Sequence, residues 1–375
     1  MIEATANAPL ILLTAGGTGG HVFPAEALAT ALAARGYRLG LVTDKRGQAY
    51  GGRLGALDTH RINAGGIAGK NMFARLFSVV ELARGAWQAW RLIRKLKPAA
   101  VVGFGGYASV PAMMAATVTS VPTAIHEQNA LLGRANRLLA SRVKRIAASF
   151  RETKGLTLTA LGRIVFTGMP VRAAIREKAG QPLPPLDGPL GVLVMGGSQG
   201  ATVLSEVVPA ALALLPEGLR ARLDVTQQCR EEDIDAVRAA YGATGIRAHL
   251  ASFIDDVPER LARAHVVITR AGASSVAEAL CVGRPAILIP YPYAADDHQT
   301  HNARAVDAAG AGWLMAQDAF SPATLSARLQ GLFEHPETLQ QAADRARELA
   351  RVDAAEALAD VVEGLIVTQT GRAEA

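Results

Sequence analysis

Short apolar runs alternate with longer segments of helical periodicity along the chain, and the pattern restarts after Pro170. Strands that alternate with helices predict a parallel β-sheet with helices on both faces. The predicted strands are residues 10–15, 39–44, 99–104, 123–127, 188–197, 221–228, 265–272 and 285–292. The predicted helices are residues 25–35, 110–117, 131–141, 201–215, 231–241 and 274–281, with a basic helix between the second and third strands, a closing helix over 342–366 and a fraying tail over 367–375.

Each half begins with an apolar strand that ends in a similar glycine-rich turn. The two turns are GGTGG at residues 16–20 and GGSQG at residues 196–200. The length of 375 residues also favours two domains. Open parallel sheets bind ligands at the carboxyl ends of their strands. We therefore predict an α/β protein of two Rossmann-like, doubly wound parallel-sheet domains that face a central cleft.

Composition narrows the class of protein. With 50% hydrophobic and 19% charged residues, the chain can bury a large core, which excludes disordered and fibrous proteins. Two cysteines cannot make a disulfide framework or a Cys-rich zinc site, so we expect a reducing compartment. The N-terminus lacks the basic region of a signal peptide. The uncharged run over residues 99–125 contains glycines and prolines, which favour strands, loops and a helix over a membrane span.

The positive charge is concentrated in one segment. The net charge is +6 for the whole chain, and the segment from Arg61 to Lys97 holds eight basic residues and one acid. Apolar and basic side chains are interleaved there, and the candidate membrane-contacting residues are Ile67, Lys70, Phe73, Arg75, Phe77 and Trp87. Such a segment suits an anionic membrane surface. The alternative is an amphipathic helix whose apolar stripe is core. Nucleic acid is not expected as a partner, because no binding module is recognisable.

Three glycine turns precede predicted helices, at residues 16–21, 103–109 and 196–201. Glycine lets backbone N–H groups approach a phosphate, and the helix N-terminus adds about half a positive charge. None of the turns is a P-loop, and Val22 stands where the dinucleotide fingerprint requires glycine or alanine. Asp44, after the second strand, keeps a dehydrogenase open as an alternative. We expect two phosphate-bearing ligands or one large one.

The segment TRAGASSVAEAL, residues 269–280, delivers small residues to a helix start. Its serine hydroxyls and backbone N–H groups can hold a pyrophosphate. Glu278 follows one turn later and can accept hydrogen bonds from a ribose diol, or can simply be a favourable first-turn acid. Downstream, Asp296, Asp297, Gln299 and Asn302 are predicted to lie in a polar loop after a buried strand, and such a loop can bind sugar hydroxyls.

Two residues are candidates for proton transfer. His21 follows the first glycine turn, where a nearby helix N-terminus favours a neutral imidazole that can accept a proton. The alternative is that His21 only hydrogen-bonds the ligand or the turn. Glu127 lies at the end of a predicted strand, beside His126. These two adjacent residues make a poor metal site, so we predict neither a metal nor a cofactor.

Six segments together carry a resemblance to a known family. They are TAGGTGGHVFPA, GFGGYASVPAMMAA, IHEQNALLGRANRLL, VMGGSQGA, SFIDDVPERLARAHVVITRAGASSVAEAL and DDHQTHNA. In this order, over roughly Leu10 to Trp313, they resemble the MurG family of bacterial peptidoglycan transferases. The resemblance implies a GT-B fold with an acceptor and membrane-docking domain over 1–172, a UDP-GlcNAc domain over 173–351, and a C-terminal helix at about 352–368 that packs on the first domain.

The resemblance also implies which residues contact the substrates. The donor UDP-GlcNAc would be bound by Thr18, Gly19, Gly20, Asn129, Arg172, Ser198, Ile254, Ala273, Ser274, Ser275, Val276, Ala277, Glu278 and Gln299. The acceptor and diphosphate loops would contain Gly16, Gly17, Gly105, Gly106 and Tyr107. This sequence departs from the family pattern at Met169, where asparagine is usual, and at Gln228-Cys229-Arg230, where Gln-x-Gly is usual.

The implied reaction is an inverting transfer of GlcNAc from UDP-GlcNAc to the 4-hydroxyl of MurNAc in undecaprenyl-pyrophosphoryl-MurNAc-pentapeptide (lipid I), which gives lipid II. His21 is the first candidate for the base, and Glu127 is the second. The acceptor's lipid favours the membrane interpretation of the basic segment, with peripheral binding to the cytoplasmic face of the inner membrane. At the cytoplasmic face of the inner membrane, proteins of cell-wall synthesis and cell division would be candidate partners. The alternatives are a related transferase with a soluble acceptor and a non-catalytic binding module.

Overall fold

The chain divides into two units, formed by Met1–Arg172 with Asp353–Ala375 and by Ala173–Val352. A computed structural model describes residues 8–16, 19–44, 52–64, 72–197 and 200–373. For residues 52–53, 72–79 and 369–373 it describes the backbone alone. Each unit is built on its own parallel sheet.

The sheet of the N-terminal unit has seven strands within the described residues, in the order β3-β2-β1-β4-β5-β6-β7. All neighbours are parallel. The strands are β1 (Leu10–Thr14), β2 (Arg38–Thr43), β3 (Asp58–Arg61), β4 (Ala100–Gly103), β5 (Thr123–Glu127), β6 (Arg145–Ala148) and β7 (Ile164–Phe166). The helices that follow β1 to β6 are α1 (Gly19–Ala34), α2 (Gly52–Gly55), α3 (Met72–Leu96), α4 (Gly106–Val118), α5 (Arg134–Leu139) and α6 (Leu158–Leu161).

Alternate residues of these strands enter two different cores. Ile11 and Leu13 of β1 pack with α1 and α2 on one face, whereas Leu12 packs with α3, α4, α5 and α6 on the other. Side chains of a strand point alternately to the two faces of its sheet, so a strand covered on both faces must be apolar throughout. The continuous apolar runs in the sequence reflect this two-sided burial.

The sheet of the C-terminal unit has six strands within the described residues, in the order β10-β9-β8-β11-β12-β13. Its strands are β8 (Leu190–Met195), β9 (Leu223–Gln228), β10 (Arg247–Ala251), β11 (Val266–Thr269), β12 (Ala286–Leu288) and β13 (Gly312–Leu314). Its helices are α7 (Ala173–Arg176), α8 (Thr202–Ala213), α9 (Glu217–Arg220), α10 (Ile234–Thr244), α11 (Val257–Arg263), α12 (Ala273–Val282), α13 (His298–Ala308), α14 (Pro322–Glu334) and α15 (Pro336–Leu349). Val192, Val194, Val266 and Ile268 of the sheet pack with α8, α10, α14 and α15.

The last helix, α16 (Ala354–Ala373), returns to the N-terminal unit. Leu358 and Val362 are buried in the same core as α1. Arg35 at the end of α1 donates hydrogen bonds to Asp360 and Glu363, at 2.7 and 2.6 Å. Hydrophobic burial therefore attaches the helix, and an ion-pair cluster at its edge adds a smaller contribution because its carboxylates are partly exposed.

The prediction of two doubly wound parallel sheets is confirmed. The single closing helix over 342–366 is wrong, because α15 ends at Leu349 and α16 begins at Ala354. The predicted fraying tail is also wrong over most of its length, since α16 continues to Ala373. None of the helices formed by the described residues is both long and apolar enough to cross a bilayer.

Candidate functional site

Two glycine turns meet at the carboxyl ends of β1 and β4. A Cβ added to Gly16 would lie 2.5 Å from the Ala108 Cβ, so glycine is required for this close approach. Gly105 and Gly106 have φ angles of +87° and +72°, in the left-handed region that favours glycine. The first turns of α1 and α4 therefore begin side by side, and two helix N-termini act on the same region.

His21 lies in the first turn of α1, and its ring is close to the second of these glycine turns. A Cβ on Gly105 would lie 3.2 Å from His21 Cδ2, and one on Gly106 would lie 3.8 Å from its Cε1. The ring is partly exposed. Tyr107 is half-buried one residue beyond Gly106. The structure thus brings together the predicted base and the predicted acceptor loop, which are far apart in sequence.

Glu127 is buried at the end of β5 and organises the loop that follows. Its Oε1 accepts hydrogen bonds from the backbone N and Nδ2 of Asn129, at 2.9 and 3.2 Å. Its Oε2 accepts from the Gly133 backbone N at 2.9 Å and from Asn136 Nδ2 at 2.8 Å. Burial raises the pKa of Glu127, and these donors oppose that effect. Four N–H groups occupy the lone-pair positions of this carboxylate, so it holds the loop in place.

His126 is fully buried beside Glu127 and connects three loops. Its Nδ1 accepts a hydrogen bond from Gln128 Nε2 at 3.2 Å, and Gln128 Nε2 also donates to the Phe104 carbonyl at 2.9 Å. His126 Nε2 faces the Gly168 carbonyl and the Ser149 hydroxyl, both at 3.3 Å. This pattern requires a neutral ring with the proton on Nε2. Burial lowers the pKa of His126 from 6.5 to about 4.

Arg172 is the last residue of the N-terminal unit before the boundary at Ala173. Its guanidinium Cζ lies 5.2 Å from the centre of the Phe23 ring on α1, a cation–π distance. Met169, the departure from the family pattern, is buried and accepts a hydrogen bond on its Sδ from Ser149 at 3.5 Å. Methionine in place of the usual asparagine therefore still provides an acceptor for the Ser149 hydroxyl.

In the C-terminal unit, α12 begins with small residues directly after β11. Gly272 is its N-cap, and Ala273 is the first helical residue. No side chain caps this end, so its first N–H groups stay available for a ligand. The Ser274 hydroxyl is buried and has no hydrogen-bond partner among the described residues. Glu278, one turn later, is buried as well. The remaining predicted residues of this segment, Ser275, Val276 and Ala277, lie in the same two turns.

The turn after β8 is closed by residues from its neighbours. Gly196 donates its backbone N–H to Gln228 Oε1 at 3.2 Å, and Gln228 Nε2 donates to the Ser252 carbonyl at 3.2 Å. A Cβ on Gly200 would lie 2.7 Å from Arg230 Cγ. Arg230, which stands where the family usually has glycine, therefore places its side chain against this turn. Gln228 bridges the ends of β8 and β10.

The other predicted donor residues follow β10 and β12. Ile254 is buried two residues after Ser252, next to Phe253, which is 70% exposed. Gln299 is the second residue of α13, and its Oε1 accepts a hydrogen bond from the Tyr291 backbone N at 2.9 Å. Asn302 was predicted to bind sugar. The predicted polar loop is wrong at Gln299 and Asn302, because both lie on α13; Asn302 is fully buried, and its Nδ2 donates to the Ala271 carbonyl at 3.0 Å, which joins the helix to the loop after β11.

Several predicted residues lie outside the described part of the chain. These are Gly17, Thr18, Ile67, Lys70 and Ser198. Phe73, Arg75 and Phe77 lie on α3, of which the backbone alone is described at those positions. Gly19 and Gly20 are the first two residues of α1, and Asn129 lies in the loop held by Glu127.

Two tryptophans in the C-terminal half of α3 lie beneath arginines; Trp87 is exposed, and Trp90 is partly buried against the core. The Trp87 side chain is 57% exposed. Arg91 Cζ lies 4.9 Å from the centre of the Trp87 ring, and Arg94 Cζ lies 4.8 Å from that of Trp90. Each pair is one helical turn apart, so the cations lie on one face of the helix. Ala89 and Ile93 bury the opposite face. The helix therefore buries an apolar stripe, as one interpretation predicted, and also exposes Trp87 beside Arg91; a membrane contact stays a prediction.

Three polar residues that organise the site were not predicted from the sequence: Asn136, Arg270 and the bridging role of Gln228. Each acts on a loop distant in sequence, and a pattern search along the chain does not detect such contacts. In the described part of the chain, no three His, Cys, Asp or Glu side chains are grouped so that they could hold a metal ion.

Comparison with known proteins gives consistent matches over the whole chain. A model of the glycosyltransferase family 28 N-terminal domain matches residues 11–148, and one of the C-terminal domain matches residues 191–358. The UDP-N-acetylglucosamine--N-acetylmuramyl-(pentapeptide) pyrophosphoryl-undecaprenol N-acetylglucosamine transferase of Paramagnetospirillum magneticum is 60% identical over 97% of this chain and 98% of its own length. The enzyme of the same name from Rhodospirillum rubrum is 56% identical over 95% and 92%. The crystal structure of Acinetobacter baumannii MurG is similar with a TM-score of 0.78 and 30% identity, over 95% of this chain and 99% of that one.

The buried His126 predicts a specific pH dependence of stability. The unfolded chain protonates this histidine near pH 6.5, whereas the folded chain does so near pH 4, so stability falls as the pH is lowered between these values. The difference corresponds to about 3 kcal/mol. Urea unfolding at pH 7 and at pH 4 gives the free energy of unfolding at each pH. Between these two pH values it should fall by about 3 kcal/mol less in H126Q than in the unmodified protein. Equal losses would contradict the buried neutral ring.

Proposed function

The chain belongs to glycosyltransferase family 28, and from this premise we propose that it acts as an N-acetylglucosaminyltransferase. It transfers GlcNAc from UDP-GlcNAc to undecaprenyl-pyrophosphoryl-MurNAc-pentapeptide, the step that makes lipid II for peptidoglycan synthesis. The observation that carries this conclusion is 60% identity over 97% of the chain to a transferase of that name. Family models match both units, which is expected for an enzyme with a donor and an acceptor substrate.

We propose that the C-terminal unit binds the donor. The uncapped N–H groups of Ala273 and Ser274, with Ser275 and the buried Ser274 hydroxyl, suit the diphosphate, because the helix N-terminus carries a partial positive charge. Glu278 would accept hydrogen bonds from the ribose, and the backbone of Ile254 would contact uracil. Gln299 would use its Nε2 donor for the sugar, since its Oε1 already accepts the Tyr291 N–H.

We propose that the N-terminal unit binds the acceptor. Its pyrophosphate would lie against the N-termini of α1 and α4, where Gly16, Gly105 and Gly106 leave the backbone accessible. Tyr107 and Gly17 would line this acceptor site, and Thr18, Gly19 and Gly20 would contact the donor UDP-GlcNAc. Asn129, held by Glu127, would contact the GlcNAc, and Arg172 and Ser198 would serve the UDP moiety.

The reaction needs a base and stabilisation of the leaving group. The acceptor 4-hydroxyl oxygen bonds to the anomeric carbon as the bond from that carbon to the UDP oxygen breaks, which inverts the configuration. Negative charge develops on the leaving diphosphate, and preorganised N–H groups at helix N-termini stabilise it. His21 takes the hydroxyl proton in this proposal. Glu127 is less suited, because four donors already occupy its carboxylate.

Product analysis tests the function. Purified protein should convert UDP-GlcNAc and a lipid I analogue into UDP and a disaccharide-linked lipid of the expected mass, in EDTA as well as in magnesium. A product formed only from soluble sugar acceptors would instead indicate a related transferase of different specificity. Tight binding of UDP-GlcNAc without product would indicate a binding module.

Replacement of His21 tests the identity of the base. We expect His21→Ala to lower kcat by roughly 10²- to 10⁴-fold, with the Kd for UDP-GlcNAc within a few-fold of the original, because proton transfer is the contribution removed. His249 is exposed in the other unit, so H249A is a matched control that should keep its turnover. Normal turnover of H21A combined with loss of turnover in stably folded E127Q would assign the base to Glu127.

We also propose that α3 docks the enzyme on an anionic membrane surface as a peripheral protein at the cytoplasmic face of the inner membrane. Trp87 is exposed, and Arg91 lies over its ring. An amphipathic ring beside a cation suits the interface between lipid tails and anionic head groups. The lipid anchor of the proposed acceptor requires that the enzyme work at such a surface. Proteins of cell-wall synthesis and division would be its neighbours there.

Vesicle binding tests the docking surface. Trp87→Ala should weaken binding to vesicles of phosphatidylglycerol by about tenfold, because an exposed aromatic surface is removed. Transfer to a short-chain soluble acceptor should be unchanged. Leu214 is 60% exposed in the C-terminal unit, so L214A is the matched control. Unchanged vesicle affinity in W87A would contradict the proposal.

A further inference from the structure

Arg270 connects the loop after β11 to the loop after β12. Its Nη1 lies 3.3 Å from the carbonyls of both Ile289 and Pro290, to which it donates. Its Cζ lies 5.5 Å from the centre of the Tyr291 ring. The parallel ladder between the two strands ends at Thr269 and Leu288, with one further backbone bond from Ile289 N to the Thr269 carbonyl. The guanidinium therefore continues the connection beyond the point where the strands can pair.

The contacts of Arg270 lead directly to Gln299. The Tyr291 ring lies against the guanidinium, and the Tyr291 N–H donates to Gln299 Oε1. A backbone N–H can be accepted only by the amide oxygen, so this bond fixes which end of the Gln299 amide points away from the loop. The nitrogen, with two donors, is the end left for a ligand. Arg270 thus acts on Gln299 through a single intervening residue.

A second contact joins the loop after β11 to α13. Asn302 on α13 is fully buried and donates from Nδ2 to the Ala271 carbonyl. The start of α13 is therefore held against the residues that lead into α12. The segment between these two contacts contains Asp296 and Asp297 at φ angles of +53° and +54°, which are unfavourable for residues other than glycine. A strained segment needs such restraints to keep one conformation.

We propose that Arg270 is a positioning residue that confers affinity for the sugar of the donor. It holds residues 289–291 so that Gln299 presents its amide nitrogen to the hexose, while the N-terminus of α12 binds the diphosphate independently. The inference rests on the proposed function, because it assumes that the ligand is a nucleotide sugar bound at α12. In this proposal Arg270 acts through Tyr291 and the backbone of residues 289–290, and Gln299 is the residue that contacts the sugar.

The proposal predicts a difference between two ligands. Replacement of Arg270 by methionine should raise the Kd and KM for UDP-GlcNAc by about tenfold, as expected for lost hydrogen bonds of the anchoring loop. The Kd for UDP, which lacks the sugar, should stay within about twofold. R270K keeps a donor but loses the planar guanidinium, so its Kd for UDP-GlcNAc should lie between those of the unmodified protein and R270M. Arg304 is exposed on α13, and R304M is the matched control that should leave both ligands unaffected.

Calorimetric titration of UDP and UDP-GlcNAc into the full chain, with thermal unfolding of each variant, carries the test. If R270M does not fold, R270K carries the test, and its Kd for UDP-GlcNAc should rise more than its Kd for UDP. Q299A and the double variant complete a cycle, and the two substitutions should be strongly non-additive because they act on one contact. The proposal would be overturned if the affinities for UDP and UDP-GlcNAc fell equally or did not change. Additive effects of the Arg270 and Gln299 substitutions on the affinity for UDP-GlcNAc would also overturn it. A wild-type protein that binds UDP-GlcNAc but makes no product would refute the proposed function alone.

Discussion

Backbone groups just beyond the carboxyl ends of parallel strands have no strand to pair with, and the two units depend on how these groups are satisfied. In the N-terminal unit, the buried carboxylate of Glu127 accepts the backbone N–H groups of Asn129 and Gly133 after β5, together with the side-chain amides of Asn129 and Asn136. In the C-terminal unit, Arg270 donates to carbonyls after β12, and Gln228 bridges the ends of β8 and β10. A buried polar group left without a partner costs about 1–3 kcal/mol, so these side chains determine the conformation of the loops.

This arrangement has a direct chemical consequence. Among the described residues, no side chain caps the N-terminus of α4 or of α12, so the first N–H groups of these two helices can act on a ligand. A helix N-terminus presents N–H groups and a partial positive charge in fixed positions, and fixed dipoles stabilise developing charge without reorganisation. The proposed reaction releases a diphosphate and uses an acceptor that carries a pyrophosphate. Both substrates therefore suit a helix N-terminus, which each unit provides.

The sequence predicted the buried strands well, because strands covered on both faces are continuous apolar runs. Five strands were missed. The edge strands β3, β7, β10 and β13 and the interior strand β6 are only three to five residues long, so none of them forms a long apolar run. The break between α15 and α16 was also missed, since no glycine or proline marks residues 350–353. At the site, the glycine turns and the start of α12 were visible as motifs. The contacts of His21 with Gly105, of Glu127 with Asn136 and of Arg270 with Pro290 depend on the fold and could not be read from spacing.

The account depends on the claim that backbone N–H groups of α12 hold the diphosphate of the donor. The most direct measurement is a crystal structure of the protein with UDP-GlcNAc, grown in EDTA. The account predicts diphosphate oxygens within hydrogen-bond distance of the N–H groups of residues 273–275, with the hexose next to Gln299. A diphosphate bound elsewhere, or one that binds only when a divalent cation bridges it to the protein, would contradict it.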